Sequence, residues 1–394
     1  MFFQTTQTGT FEVTQPNSSP SRSPGSPARG RTGEFEWVFP AIRGIQAGRE
    51  YYVTMCPLRL IPRMFLFDEE ELAPEMRAQR TLNRGRVPEI ARYMVENSDS
   101  YVFSALTASV DVDVRFDPIA TDGPSERVGT LVIPMAARFV INDGQHRRAA
   151  IQQALADNPA LGDESIAIVL FLDVGLARCQ QMFADLNRYA VRPAKSIGVL
   201  YDHRDDISAL TRLVVMKSAL LRDLTEMETS NLAQRSRKLF TLSALHAANK
   251  ALLDGVEESS FERRVDLASK YWNLVGDQFP EWEMVFKREI TSGEVRRDFI
   301  HTHGIVLHAL GKVGNSLVSQ DDGGRSWPAA LKKLREVDWH RSSRNWEGRA
   351  VIGGRVSKSA ANVLLTTAAI RRTMGLSLPA DEQRAEDAFG GAEK

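Results

Sequence analysis

The chain has 394 residues, and 50 Lys and Arg balance 50 Asp and Glu, so its formal net charge is zero. That length supports two or three domains with separate cores, and 43% apolar with 25% charged residues is the composition of an ordinary globular protein. No apolar run approaches the ~20 residues of a membrane-spanning helix, no secretory signal pattern opens the chain, and the isolated Cys56 and Cys179 build neither a disulfide scaffold nor a zinc ribbon; a cytoplasmic protein with no membrane partner and no structural metal is expected.

In chain order, residues 1–33 read as a disordered arm, because the Pro- and Ser-rich run Pro16–Pro27 offers too little apolar surface to offset chain entropy. Ordered structure is expected from about Phe35. Tyr51–Met55, Tyr101–Phe103 and Ser109–Val114 have strand character, and Val87–Met94 reads as a helix with Pro88 just inside its start. Leu131–Pro134, Phe139–Ile141 and Ile166–Leu172 complete a mixed sheet, followed by a helix over Leu176–Asn187. After about Tyr201 strand-like runs become scarce, and Leu210–Leu224, Leu239–Leu253, Phe261–Leu274, Asp298–Val313 and Ser359–Met374 read as amphipathic helices. The expectation is a mixed α/β domain over residues 34–200 and a mostly helical domain over residues 201–394.

Asn142-Asp143-Gly144-Gln145-His146-Arg147-Arg148 lies between the apolar run ending at Ile141 and a helical pattern in which Ile151 and Leu155 share a face. A strand, an Asp-Gly turn and then a helix put Gln145, His146, Arg147 and Arg148 around a helix start, where N–H groups are unpaired and the dipole is positive. Such a site suits phosphate, of a nucleotide or of DNA. The plainer alternative is a common turn followed by solvated polar residues. Asp185-Leu186-Asn187-Arg188 is a second constellation, with Asn187 either capping a helix or folding back beside the turn to orient His146 or a phosphate. Asp143 and Asp185 are the candidate metal or water ligands if a nucleotide is hydrolysed.

Distribution of charge matters more than its sum. Between Arg341 and Arg372 seven basic residues face Glu347 alone, a local net charge of +6. Arg344, Arg349, Arg355 and Lys358 are the candidate DNA contacts, with Ser357 or Ser359 capping the following helix. Arg371 and Arg372 are left out, since cations near a helix C-terminus are favoured by its dipole. Arg235, Arg237 and Lys238 form a second basic patch. His301, His303 and His308 read as core or surface histidines, because the two histidines of an H-x-H pair on a helix point to different faces and no cysteine completes a set.

Asp143–Arg147 spells D-G-Q-H-R, the signature of DGQHR-domain proteins. Blocks at Phe39–Tyr52, Met182–Pro193, Tyr201–Asp205, Arg235–Phe240 and Trp346–Arg355 resemble, in order, the DndB family associated with DNA phosphorothioate modification. The resemblance implies a DNA-binding repressor of the gene cluster that installs sulfur in the DNA backbone, acting on the promoter region of its own operon as a homo-oligomer, with other phosphorothioation proteins as further partners. DGQHR domains also resemble the ParB and sulfiredoxin group, whose nucleotide segment has the form taken here by Gly144-Gln145-His146-Arg147-Arg148-Ala149-Ala150. That implies ATP with Mg at the turn, while Gln145 in place of the sulfiredoxin cysteine argues against sulfiredoxin chemistry. Two other functions stay open: an ATPase or nuclease-like enzyme on the ParB-like fold, and an interaction subunit of the modification machinery that does not bind DNA.

Overall fold

The computed structural model describes residues 35–65, 84–172, 181–182, 184–186, 193–256, 260–319 and 326–392. The arm over residues 1–33, Cys179 and Asn187 lie outside them. The chain divides into two compact units, Met1–Ala190 and Val191–Lys394.

In the first unit β1 (Glu36–Gln46), β2 (Arg49–Pro57), β3 (Leu106–Val110), β4 (Arg115–Pro118), β5 (Val128–Pro134), β6 (Phe139–Asp143) and β7 (Ser165–Leu172) form one sheet in the order β4-β5-β1-β2-β7-β3-β6. Every neighbouring pair is antiparallel except β3 with β7, so the sheet is mixed. Side chains alternate faces along each strand. Phe39 and Ala41, Ile166, Ile168 and Leu170, and Leu106, Ala108 and Val110 turn inward, where they meet Ala91 and Met94 of α2 (Val87–Glu96) and Ala150, Ile151 and Ala154 of α3 (Gln145–Asp157). α1 (Ile61–Met64) joins this core through Ile61 and Met64. Cys56 is fully buried against Met64 and burial pushes its thiol up to about 12, so it is an inert apolar residue of the core.

Two strand assignments need correction. Tyr101–Phe103 is irregular, and the strand begins at Leu106. The Tyr101 and Phe103 rings pack edge-on to each other and Phe103 meets Tyr93 of α2, so these aromatics close the end of a helix instead of joining a ladder. Ser109–Val114 likewise overlaps β3 only at Ser109 and Val110. The long strand β1 has no clear sequence signal because Pro40 and Gly44 interrupt its alternation, yet it pairs on both edges, with β2 and with β5.

The second unit contains α4 (Lys195–Tyr201), α5 (Asp206–Lys217), α6 (Ala219–Leu224), α7 (Leu242–Leu252), α8 (Phe261–Gly276), α9 (Pro280–Phe286), α10 (Ser292–Asp298), α11 (Gly304–Ser319), α12 (Trp327–Lys332), α13 (Ala360–Met374) and α14 (Ala380–Ala392). Short pairings join β8 (Thr225–Glu226) to β9 (Phe240–Thr241) and β10 (Val351–Ile352) to β11 (Arg355–Val356). α11 is the central helix, buried along most of its length between α7 and α13. A Cβ on Gly311 would stand 2.2 Å from the Ala248 carbonyl oxygen, so only glycine permits this approach of α11 to α7.

The expected helix over Leu210–Leu224 is broken at Ser218, whose hydroxyl caps α6 by accepting from the Leu221 N–H. The expected helix over Asp298–Val313 starts only at Gly304, because Asp298 is the last residue of α10. Phe299 leaves α10 in an extended conformation and bridges to His340 before α11 starts at Gly304. No helix among the described residues is long and apolar enough to cross a membrane.

Candidate nucleic-acid interface

In the first unit the D-G-Q-H-R segment forms the strand–turn–helix its sequence suggests. β6 is bulged just before it. Thr107 pairs with Asp143 and Ala108 with Ile141, leaving Asn142 as the extra residue. The Asn142 side chain is fully buried and donates to Ser109 Oγ at 2.7 Å. Gly144 has φ +104°, and a Cβ there would fall 2.5 Å from Leu106 Cδ2, so its glycine is required twice over.

Both arginines of the turn have internal partners. Arg147 donates through Nη1 to the carbonyls of Ser104 (2.7 Å) and Ala105 (3.1 Å) and to Ser104 Oγ, and through Nη2 to Asp143 Oδ2 at 2.6 Å. Arg148 is buried, with Nε on the Phe65 carbonyl at 2.9 Å, Nη2 on that of Pro62 and Nη1 on Gln152. Gln145 is buried too and donates to the Ile141 carbonyl. His146 is partly exposed; burial first, and then the Arg86 charge, lowers its pKa. Arg147 and Arg148 therefore tie α3 to the residues before β3 and after α1. Asp185 is exposed and accepts from Gln181. Asn187, which completes that constellation, is outside the described residues.

In the second unit a cleft of about 2100 Å³ is lined by nine Lys or Arg and five Asp or Glu side chains. Arg235, Arg237, Lys238 and Lys358, which the sequence placed in two separate patches, meet here with Lys195, Arg288, Arg296, Arg297 and Arg341. Two of these carboxylates are held by hydrogen bonds of their own. Asp205 accepts from Ser208 and from His246 Nε2; burial pushes its carboxyl up, and these hydrogen bonds outweigh that and hold it below the ordinary range. Glu294 closes the capping box of α10 with Thr291.

The cations divide by what holds them. Arg296 is internal, donating to the carbonyls of Leu232, Ala233, Gln234 and Ser236. It clamps the loop that carries Arg235 and Arg237, and Ser292 Oγ adds a bond to the Arg237 carbonyl. Arg297 pairs with Asp298, and Lys238 Nζ donates to the Asp223 carbonyl. Arg235, Arg237 and Arg288 are exposed and take part in none of the ion pairs found among the described residues. Arg288 has φ +64°, an uncommon backbone state that turns the chain directly after α9. The result is a rigid loop presenting unpaired guanidinium groups at the mouth of a cleft, a geometry suited to successive phosphates.

The basic stretch over residues 341–372 does not act as one surface. Arg349 is bidentate on Glu386, donates to the Leu365 carbonyl and stacks on Phe389 at 4.5 Å. Arg371 pairs with Glu382 at 2.9 Å and Arg372 with Glu386 at 2.8 Å. These acids lie on α14, outside the window in which the charge was counted. Arg344 and Arg355 are exposed but do not line the cleft, although the β10–β11 hairpin carrying Arg355 is tied to Arg341 by a 2.6 Å bond to the Gly354 carbonyl.

Arg288, Arg296 and Arg341 were missed as site residues because no local motif marks them. The Thr291-Ser292-Gly293-Glu294 capping box was a legible signal for α10, and so for the placement of Arg296. His301 is a core residue. Trp282 Nε1 donates to its Nδ1 at 3.0 Å, and Phe279, Phe299 and Trp339 surround it. Among the described residues no three His, Cys, Asp or Glu side chains are grouped to hold a metal ion.

Comparison with family models matches residues 39–377 to the DndB family, described as DNA-sulfur modification-associated. No curated protein and no solved structure matches the chain.

Proposed function

The chain belongs to the DndB family of proteins associated with DNA sulfur modification, and from that premise we propose that it is a DNA-binding repressor of a phosphorothioation gene cluster. The observation that carries this reading is the second unit's cleft, where a clamped loop holds Arg235 and Arg237 beside Arg288 without carboxylate partners. Cations fixed in this way neutralise backbone phosphates and release counterions, the main source of affinity for duplex DNA. Repression further requires preference for one sequence. A homo-oligomer reading paired half-sites of its own promoter, in the cytoplasm, meets that requirement.

ATP with Mg at the Gly144–Arg148 turn is the regulatory part of the proposal. Support for it comes from the start of the 13-residue helix α3 and the neighbouring His146 and Arg86. Arg147 and Arg148 serve this reading by holding the turn in place.

The test is fluorescence anisotropy with duplex DNA from upstream of the gene cluster and a scrambled duplex, across a salt series, with and without ATP–Mg. Tight, salt-dependent binding that prefers the upstream duplex is expected. An ATP effect that disappears in His146→Ala would place regulation at the turn. Equally weak binding to both duplexes would overturn the repressor reading in favour of an enzyme or a non-DNA-binding subunit.

A further inference from the structure

The floor of the second unit's cleft differs from its mouth. Thr302, His303, Gly304 and Ile305 line it, and there the 16-residue helix α11 begins. The first N–H groups of a helix have no intrahelical acceptor. The Val306 and Leu307 N–H groups bond to the His303 carbonyl, but those of Gly304 and Ile305 make no hydrogen bond among the described residues. Thr302 is 4% exposed, and its Oγ1, buried in the wall of the cleft, has no partner.

Lys358 reaches the same spot, and Lys195 lines the same cleft. A Cβ built on Gly304 would lie 3.6 Å from Lys358 Nζ, so that ammonium sits over the helix start. Desolvation and then the charge of Lys195 lower the Lys358 pKa; burial first, and then the charges of Lys358 and Lys312, lower that of His308, one turn into α11. No carboxylate contributes at either position. An uncompensated pair of ammonium groups, a positive helix end and an orphaned hydroxyl are costly in the free protein and well satisfied by one multivalent oxyanion.

We propose that Lys195, Lys358, Thr302 and the N-terminal N–H groups of Gly304 and Ile305 form a binding pocket for a phosphoryl group. A carboxylate has two oxygens in one plane, whereas these donors come from two lysines, a side-chain hydroxyl and the backbone, the distribution a tetrahedral anion fills. Gly304 keeps this space open, since a methyl group there would occupy it in contact with Lys358 Nζ at 3.6 Å and crowd Ala244 Cβ at 3.3 Å. The phosphoryl group belongs either to the DNA backbone, which deepens the repressor reading, or to a free nucleotide, which would place nucleotide binding in the second unit instead of at the Gly144 turn.

Calorimetric titration of the full chain with inorganic phosphate tests the pocket, with acetate as control and with the variants Lys195→Ala, Lys358→Ala and Gly304→Ala. Circular dichroism melting establishes that each variant is folded, and exposed Lys195 is the substitution least able to disturb packing. Phosphate is expected to bind at least about tenfold more tightly than acetate, and each lysine variant to lose about tenfold, the scale of one charged hydrogen bond. Absence of phosphate binding to the parent chain, or equal binding by folded Lys195→Ala and Lys358→Ala, would overturn the proposal. Metal-free ATP and a short duplex identify the source. ATP binding tighter than phosphate and weakened by the same variants indicates a nucleotide, whereas variants that weaken duplex binding while ATP is no better than phosphate indicate DNA. A failure to prefer upstream DNA would overturn the repressor reading and leave the phosphate result standing.

Discussion

Replacing Arg147 by Ala removes a guanidinium with 15% side-chain exposure from four acceptors. The bonds to the Ser104 and Ala105 carbonyls are charge-assisted, and each such bond contributes about 1.5–3 kcal/mol. The Asp143 carboxylate is 46% exposed, so solvent screening reduces that ion pair to under about 1 kcal/mol. These terms share one side chain and do not add fully, which gives an expected loss of about 2–4 kcal/mol. The loss should be local, confined to the residues before β3 and the β6–α3 turn. Hydrogen exchange read by mass spectrometry should show amide protection falling about 30- to 1000-fold across residues 104–110 and 139–157. Tryptophan fluorescence supplies an internal control. Trp37 is in the first unit and the other five tryptophans are in the second, so the second unit's urea transition should be unchanged. A protection loss below about threefold, or a loss centred on the second unit, would refute a structural role for Arg147.

Removing both Arg235 and Arg237 should flatten the dependence of log K on log salt by about 0.9 for each phosphate that is no longer neutralised; an unchanged slope would remove this loop from the DNA interface. Arg349→Ala should leave the slope alone but lower the second unit's stability by about 1.5–3 kcal/mol in urea unfolding, because it removes a bidentate partner from the buried Glu386 and leaves that carboxylate Arg372 alone. A flattened slope with full stability would return Arg349 to the DNA surface. His301, His303 and His308 all have lowered pKa values, chiefly through burial, so the folded unit takes up fewer protons than the unfolded chain below the ordinary histidine value of 6.5. Stability should therefore be fully present above that pH and fall as the pH drops below it, by up to about 1.4 kcal/mol per pH unit for each histidine kept neutral. Glu281, whose carboxyl is lowered by its hydrogen bond with His301, adds a loss of the same sign at lower pH. Melting from pH 7.5 to 5.5 should show the decline, and His301→Gln should make it shallower; an identical slope would exclude His301 as a source.

Periodicity and turn chemistry in the sequence were enough to place a mixed sheet first and helices after it. They also located the Asp143-Gly144 turn and narrowed the cap of α13 to Ser357 or Ser359, of which Ser359 is the cap, because each depends on neighbours within a few residues. Strand β1 escaped that reading because its pairing with β2 and β5, not its own alternation, makes it a strand. The same holds for Tyr101–Phe103, where aromatic packing overrides β propensity. Charge was the least legible property. Local counting gave +6 between Arg341 and Arg372, and only the fold brings Glu382 and Glu386 of α14 against Arg371, Arg372 and Arg349. Arg147 and Arg148 read as phosphate ligands because sequence shows which donors exist but not which carbonyls they reach. Conversely, Lys195 and Lys358 become one site only across 163 positions of chain, at a helix start neither belongs to. Sequence determined most of the elements and the inventory of charged groups; tertiary structure alone decided which charges are neutralised, because electrostatic partners are chosen by distance in space and not by separation along the chain.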